Sequence, residues 1–414
     1  MMDPLAQLAI MWTSVFFAAV LAHKTRLTPV LFFLFMGAVL VNTGILPHET
    51  HPFIRGFADI GIIIIMFALG FEERTVNFIA TIKRVWGIAL FGALGPFLAA
   101  YAVADYFWDT KNVSLLCGLA MASTTVSLTM VSLKSEGLHK TAAARGIMTS
   151  AVVDNISSLL LVALLVPLAT GETALTPQGV GVILFKVIVF FLIVLFVARW
   201  VLPHDRPHWL SRLPVIGQYG IKHVLSFSEG EQSVLTVLLI ALLSGLLAHQ
   251  FGFHPAVGAY LAGLILKEEY FRTDNDPKKD YFDSTKRIID SVAFSWIGPI
   301  FFVHLGTKIL FDWEIFVSVI PQTIAMVAGI MAAQIASAAL AARYTGGFSI
   351  KEALMIGFGM LGRAELAFVV MEIAYTEKSI FTREVFYTLM FTAFWLNVSV
   401  PILIKLWKPY FKKS

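Results

Sequence analysis

Residues 356–374 read IGFGMLGRAELAFVVMEIA, an apolar stretch that three glycines weaken and that contains Arg363 and Glu365 in its middle. A continuous membrane helix accommodates such charges poorly, because an ionisable side chain in the hydrocarbon region costs several kcal/mol. Charges are accommodated where a helix is interrupted and its two halves end inside the protein, around a cavity. The stretch therefore predicts a broken membrane helix, in which the two charges either satisfy the half-helix ends or contact a substrate.

The composition predicts that this stretch belongs to a polytopic membrane protein. The chain has 414 residues, of which 58% are hydrophobic, and its mean hydropathy is +0.79. Charged residues make up 14%, compared with about 25% in ordinary soluble domains. Apolar blocks of about 20 residues recur from end to end, which is the length that a bilayer core of about 30 Å requires. We therefore expect an all-α protein in the lipid bilayer, with no appended soluble regulatory domain and no nucleic-acid partner.

The apolar blocks predict about thirteen transmembrane helices between residues 5 and 407. With that count, 5 basic residues fall in loops on the side of the N-terminus and 24 fall in loops on the opposite side. Cytoplasmic loops carry the excess of Lys and Arg, so the N-terminus is predicted outside and the C-terminus in the cytoplasm. Lys186 and Arg363 alone lie within spans, and Lys186 can extend its ammonium group towards the interface.

A second interrupted span is predicted at residues 114–133, SLLCGLAMASTTVSLTMVSL. Ser123, Thr124 and Thr125 form a polar patch there, which either marks an unwound segment or consists of hydroxyls bonded to the preceding turn. The two interrupted spans are seven helices apart and therefore cross the membrane in opposite directions. Two such helices are typical of inverted repeats, with a substrate site near the midplane between them.

Asp154 is the clearest candidate for an ion-binding residue, since it lies about two turns inside the apolar helix that contains SAVVDNISSLLLVALLVP (150–167). Its position excludes a helix-capping role, although a buried aspartate satisfied by a hydroxyl or a broken helix end is the structural alternative. Asn155 points about 100° away around the helix and can donate and accept hydrogen bonds without titrating.

Six stretches occur in an ordered pattern: RLTPVLFFLFMGAVLVNTGIL (26–46), FADIGIIIIMFALGFE (57–72), GLAMASTTVSLTMVSLKSEGLHKTAAARGIMTSAVVDN (118–155), GFHPAVGAYLAGLIL (252–266), IGPIFFVHLGTKI (297–309) and GRAELAFVV (362–370). In this order and spacing they resemble the monovalent cation–proton antiporters of the Kef and NapA type, which share the sodium/hydrogen exchanger domain. The resemblance covers nearly the whole chain.

The resemblance implies that residues 1–414 form one transmembrane domain with an NhaA/NapA-like antiporter fold, in which two broken helices cross. It also implies a homodimer in the plasma membrane or the inner membrane of the cell. Mobile core helices would lie at about 84–170 and 315–407, and dimerisation or scaffold helices at about 5–46 and 178–269. The implied partners are protons and Na⁺ or K⁺, exchanged by alternating access. We expect a transporter and not an enzyme, with no cofactor.

Two positions depart from the pattern of these antiporters. The acidic pair reads Asp-Asp in NapA-type proteins, Gln-Asp in Kef-type proteins and Asn-Asp in eukaryotic-type exchangers, and the second position binds the cation. Here Asn155 occupies that second position, and the acid is one residue earlier. A lysine of the NapA-type eleventh span aligns with Gln334, so the membrane-embedded lysine is absent.

These residues predict a site in which Asp154 binds either a proton or the transported metal cation. Ser123, Thr124, Thr125 and Asn155 would supply neutral oxygens, and Gln334, Arg363 and Glu365 would support the core. A single titrating acid predicts electroneutral exchange of one cation for one proton. Two alternatives remain: a transport-inactive variant, because Asn155 replaces the usual acid, and a channel-like or regulatory membrane protein on the same scaffold.

Overall fold

A computed structural model describes residues 2–25, 28–72, 75–125, 127–170, 177–198, 221, 225, 232–271, 281–363 and 365–411. Parts of the predicted scaffold segment 178–269 therefore lie outside the described residues. The described chain is almost entirely helical, which confirms the predicted all-α class. Its α-helices are α1 (Pro4–Thr25), α2 (Pro29–Asn42), α3 (Pro52–Glu72), α4 (Thr75–Trp108), α5 (Lys111–Ala122), α6 (Ser127–Ser135), α7 (Ala142–Ala169), α8 (Pro177–Phe196), α9 (Ser233–Gln250), α10 (Pro255–Ile265), α11 (Phe282–Ser291), α12 (Gly298–Gly306), α13 (Trp313–Ser318), α14 (Ile320–Tyr344), α15 (Ile350–Gly359), α16 (Glu365–Glu372) and α17 (Arg383–Phe411).

Several helices are long and apolar enough to cross a bilayer. Eight such spans occur among the described residues, and four shorter apolar helices of 10–17 residues accompany them. The shorter helices include α5, one half of a predicted broken span. The predicted total of thirteen spans and the predicted orientation of the termini remain predictions.

The chain divides into two compact units. One contains residues 1–15, 49–76 and 176–304, and the other contains residues 16–48, 77–175 and 305–414. Both predicted core segments, 84–170 and 315–407, lie in the second unit, which also contains α2. The proposed division into a mobile core and a dimerisation scaffold remains a prediction.

In the first unit, glycines allow the backbones of α3 and α10 to meet. A Cβ atom added at Gly70 would lie 2.0 Å from the carbonyl oxygen of Tyr260, and one added at Gly263 would lie 2.2 Å from that of Phe67. Small residues have this role in membrane helices, where close packing replaces the hydrophobic effect between helices. The α3–α10 crossing therefore depends on the absence of side chains at both positions.

We expect Gly263→Ala to destabilise the protein by about 2 kcal/mol or more, because the new methyl group meets the rigid backbone of α3 and overpacking is not relieved by a side-chain movement. The measurement is the thermal midpoint of the purified protein in detergent. Gly181→Ala on α8 is the matched control, since nothing lies within 4 Å of its added Cβ. A midpoint for Gly263→Ala equal to that of Gly181→Ala would contradict the packing argument.

The second unit contains both interrupted spans and α7. Helix α7 begins at the N-cap Thr141, whose hydroxyl accepts a hydrogen bond from the Ala144 amide. Helix α15 begins with a reciprocal capping box between Ser349 and Glu352. Such caps satisfy the free amides at the first turn of a helix and define where it begins. The starting points of the helices that carry the candidate site are thus encoded locally.

Candidate functional site

The two interrupted spans are broken where the sequence predicts, and their unwound segments contact each other. Helix α5 ends at Ala122 and α6 begins at Ser127, while α15 ends at Gly359 and α16 begins at Glu365. The Thr125 amide donates a 3.0 Å hydrogen bond to the carbonyl oxygen of Gly362. The prediction of two broken helices that cross is therefore confirmed in the second unit.

Asp154 lies on α7 beside this crossing and is fully buried. Its Oδ2 accepts two hydrogen bonds from Thr124, one from the backbone amide at 2.9 Å and one from the hydroxyl at 2.7 Å. Its Oδ1 is equally buried and has no hydrogen-bond partner among the residues that the structure describes. Buried polar atoms are nearly always paired, so an unpaired carboxylate oxygen calls for an explanation. One oxygen positions the carboxylate, and the other is available to a proton or a cation.

The remaining residues of the predicted ion site have different surroundings. Ser123 and Thr125 are buried in the unwound segment on either side of Thr124. Asn155 is half-buried on α7, and no hydrogen bond joins its side chain to the part of the chain that the structure describes. Direct hydrogen bonds thus link Asp154 to Thr124, and they do not link Asp154 to Asn155.

Arg363 is fully buried and satisfies backbone carbonyls of the unwound segment that follows the C-terminal end of α15. Its Nη1 donates to the carbonyl oxygens of Met360 and Gly362, both at 3.0 Å, and its Nη2 donates to Gln334 Oε1 at 2.7 Å. The C-terminal end of a helix carries partial negative charge, so a cation is favourable there. Arg363 also attracts Asp154 electrostatically, although none of the hydrogen bonds found for either residue joins the two. The hydrogen bonds of Arg363 therefore favour a role in satisfying the broken helix over direct contact with a substrate.

Gln334 bridges Arg363 to α4. Its amide Nε2 donates at 2.9 Å to the carbonyl oxygen of Gly92. In a regular helix that carbonyl would bind the amide of residue 96, but residue 96 is a proline and has no N–H. Pro96 therefore frees an acceptor that the glutamine satisfies. A lysine at position 334 could donate to Gly92, but it could not accept from Arg363, because an ammonium group has no acceptor.

Asn397 on α17 is a residue of the crossing that sequence reasoning missed. Its Oδ1 accepts from the Arg363 amide at 3.2 Å, and its Nδ2 donates to the Arg363 carbonyl at 2.6 Å and to that of Ala393 at 2.9 Å. The side-chain amide thus pairs with both polar groups of one unwound residue. In the sequence, Asn397 is marked only as an amide in a largely apolar span. A search for ionisable groups does not detect such a residue.

Glu365 and Lys186 are two further charged residues that the sequence analysis placed within predicted membrane spans. Glu365 is in the first turn of α16, where the partial positive charge of a helix N-terminus favours a carboxylate. Lys186 is exposed on α8 in the other unit. Its exposure agrees with the expectation of a side chain that extends towards the interface.

Comparison with known proteins identifies antiporters along most of the chain. The family described as "Sodium/hydrogen exchanger, transmembrane" matches residues 12–406. A probable Na⁺/H⁺ antiporter, GerT of Bacillus cereus, is 23% identical over 317 residues, covering 76% of this chain and 75% of that protein. A Na⁺/H⁺ antiporter of Enterococcus hirae is 22% identical over 344 residues, covering 82% and 81%.

The fold is also similar to that of a solved structure, the sodium proton antiporter MjNhaP1 from Methanocaldococcus jannaschii at pH 8. The TM-score is 0.69 with 16% sequence identity, and the similarity covers 98% of this chain and 99% of that one. At this identity the comparison establishes the fold, and it agrees with the predicted antiporter architecture.

Proposed function

Because the chain belongs to the transmembrane sodium/hydrogen exchanger family, we propose that it exchanges a monovalent cation, Na⁺ or K⁺, for protons by alternating access. It is a multi-pass protein of the plasma membrane. The observation that carries the proposal is the buried Asp154: its Oδ2 accepts two hydrogen bonds from Thr124, while its Oδ1 has no hydrogen-bond partner in the described part of the chain. A carboxylate oriented in this way can accept a new ligand without losing its position.

Competition for Asp154 couples the two ions. The Oδ1 atom binds a proton covalently or contributes a charged oxygen to a hard monovalent cation, and it does not do both at once. Burial makes the empty, charged carboxylate unfavourable, so the site favours one of its two loaded states. Exchange follows if only loaded sites are reoriented across the membrane. Ser123, Thr125 and Asn155 are proposed as neutral oxygen ligands around the cation.

We expect the exchange to be electroneutral. A site that carries one proton and a site that carries one monovalent cation have the same net charge, so a complete cycle moves no charge. The test follows pH inside proteoliposomes after addition of NaCl, KCl or choline chloride. The expected result is a pH change with Na⁺ or K⁺ but not with choline, at a rate that an imposed membrane potential leaves unchanged. A rate that follows the potential would contradict a one-for-one cycle.

Asn155→Asp is expected to make the rate sensitive to membrane potential, because a second titrating acid beside Asp154 allows more than one proton to be exchanged for each cation. Asn155→Ser is the matched control, which keeps a neutral oxygen and should remain insensitive. If the aspartate form alone dissipated a pH gradient, the ion-carrying acid would belong at position 155 and the assignment of Asp154 would be wrong.

A homodimer is the assembly that we propose, with the helices at about 84–170 and 315–407 as the mobile core and those at about 5–46 and 178–269 as the scaffold. In support, both core segments lie in one compact unit. In that unit, Gln334, Arg363 and Asn397 brace the crossing by hydrogen bonds to the backbone and to one another. A braced crossing keeps the geometry around Asp154 constant while the core moves.

A further inference from the structure

A second buried oxygen without a partner lies one helical turn from Asp154. Ser158 is 1% exposed, and its hydroxyl has no hydrogen-bond partner among the described residues. The residue is on α7 at position i+4 from Asp154, whose Oδ1 is also buried and unpaired. Two unpaired oxygens on one face of one helix indicate a shared ligand more strongly than either does alone.

The hydroxyl of Ser158 is unusual for this chain. Serine and threonine in helices ordinarily bond back to a carbonyl of the preceding turn, which satisfies the hydroxyl within its own helix. Helical hydroxyls that follow that rule here include Thr13, Ser14, Thr149, Ser150, Ser318, Thr388, Thr392 and Ser399. Ser158 does not, although burial makes an unpaired hydroxyl costly. Its oxygen is therefore available to a group outside its own backbone.

Helix geometry places Ser158 on the same face of α7 as Asp154, one turn further along. Residues four apart lie on the same face, with about 5–6 Å between their Cβ atoms. Side chains also tilt towards the helix N-terminus, so Ser158 covers the turn that carries Asp154. Two oxygens on neighbouring turns of one helix face can contribute to the same cation site.

We propose that Ser158 is a ligand of the transported cation, a neutral hydroxyl oxygen that binds the ion together with Asp154 Oδ1. This inference rests on the proposed antiport and adds a residue that determines its cation affinity. In the cation-loaded state, these two oxygens contact the ion together. In the proton-loaded state, Oδ1 carries the proton and Ser158 remains neutral. Ser158 thus adds affinity for the cation without changing its own protonation.

Ser158→Ala tests the proposal in the full-length protein, with initial exchange rates measured in proteoliposomes over a range of NaCl or KCl concentrations. We expect the cation concentration at half-maximal rate to rise about tenfold, because one ligand oxygen is lost, while the maximal rate stays within about twofold. Ser150→Ala is the matched control on the same buried face, one turn before Asp154, because its hydroxyl already bonds to the Ile147 carbonyl at 3.1 Å. It should leave the half-maximal concentration unchanged.

Ser158→Cys keeps the side-chain shape, fills the space that alanine would leave with a somewhat larger sulfur, and so separates the loss of the ligand oxygen from the loss of packing. Sulfur is a soft ligand and binds hard alkali cations poorly, so the thiol should weaken cation affinity as alanine does. Cation affinity is also measured without transport, as the rise in thermal midpoint when NaCl or KCl replaces choline chloride. Both variants should shift that titration to higher concentrations by about tenfold.

The outcomes separate this inference from the proposed function. Exchange that requires Asp154 but has a normal half-maximal concentration in Ser158→Ala and Ser158→Cys would overturn the role of Ser158 alone. An equal loss of affinity in Ser150→Ala would also overturn it, since any buried hydroxyl on that face would then suffice. A parent protein that neither exchanges nor binds Na⁺ or K⁺ would overturn both the antiport and the ligand role.

Discussion

Asp154→Asn is expected to reduce cation–proton exchange to the level of protein-free liposomes, a loss of about 100-fold or more, because every step of the cycle uses the carboxylate. Asparagine has nearly the same shape, and its side-chain oxygen can still accept from the amide and hydroxyl of Thr124. The substitution therefore removes the titrating group and leaves most of the packing. The measurement is the decay of a pH gradient on addition of NaCl or KCl.

The control for this loss is Asp290→Asn on α11. Asp290 is partly exposed and pairs with Lys286 at 2.6 Å, in the unit that does not contain the site. Exposed ion pairs contribute about 0–1 kcal/mol, so exchange should be retained. Cation flux that persists in Asp154→Asn without proton counterflow would instead identify a channel-like protein. Full exchange in Asp154→Asn would refute the ion-carrying role of this residue.

The break points of the two spans were predictable from the sequence, because they depend on local chemistry. Glycines weaken a helix, and charges or clustered hydroxyls supply groups that can satisfy the freed backbone. These signals marked residues 123–125 and the glycines before Arg363. The hydroxyl of Thr124 was ambiguous, since it could have bonded to its own helix. The structure shows that it bonds to Asp154 instead.

The residues that brace the crossing were less predictable, because their partners are distant in sequence. Gln334 donates to the Gly92 carbonyl, which is 242 residues earlier in the chain. That carbonyl is free because residue 96 is a proline. Asn397 pairs with Arg363 across 34 residues. Neither amide has a local pattern that distinguishes it from an ordinary polar residue in a span. Only the three-dimensional arrangement shows which backbone groups lack partners and which side chains supply them.

Arg363→Met is expected to destabilise the protein by about 3–5 kcal/mol, the usual effect of removing one member of a buried charged network. The Met360 carbonyl and Gln334 Oε1 would lose the hydrogen bonds from Arg363, and the Gly362 carbonyl would retain only the one from the Thr125 amide. The measurement is the thermal midpoint in detergent, read from the fluorescence of the nine tryptophans. Arg343→Met is the control, because Arg343 is exposed and, among the described residues, donates to one carbonyl, that of Phe348. It should cost about 0.5–1.5 kcal/mol.

A double-mutant cycle identifies the source of that loss. Gln334→Leu alone leaves Arg363 Nη2 without its acceptor, and Arg363→Met alone leaves Gln334 Oε1 without its donor. Removing both partners eliminates the unpaired Nη2 and Oε1 groups, so the combined loss should be smaller than the sum of the single losses by about 1–3 kcal/mol. Arg363→Lys should fall between the parent and Arg363→Met, because one ammonium group cannot reproduce a planar fork directed at three acceptors. Strict additivity in the cycle would mean that Arg363 stabilises the crossing through its charge and its backbone hydrogen bonds and not through Gln334.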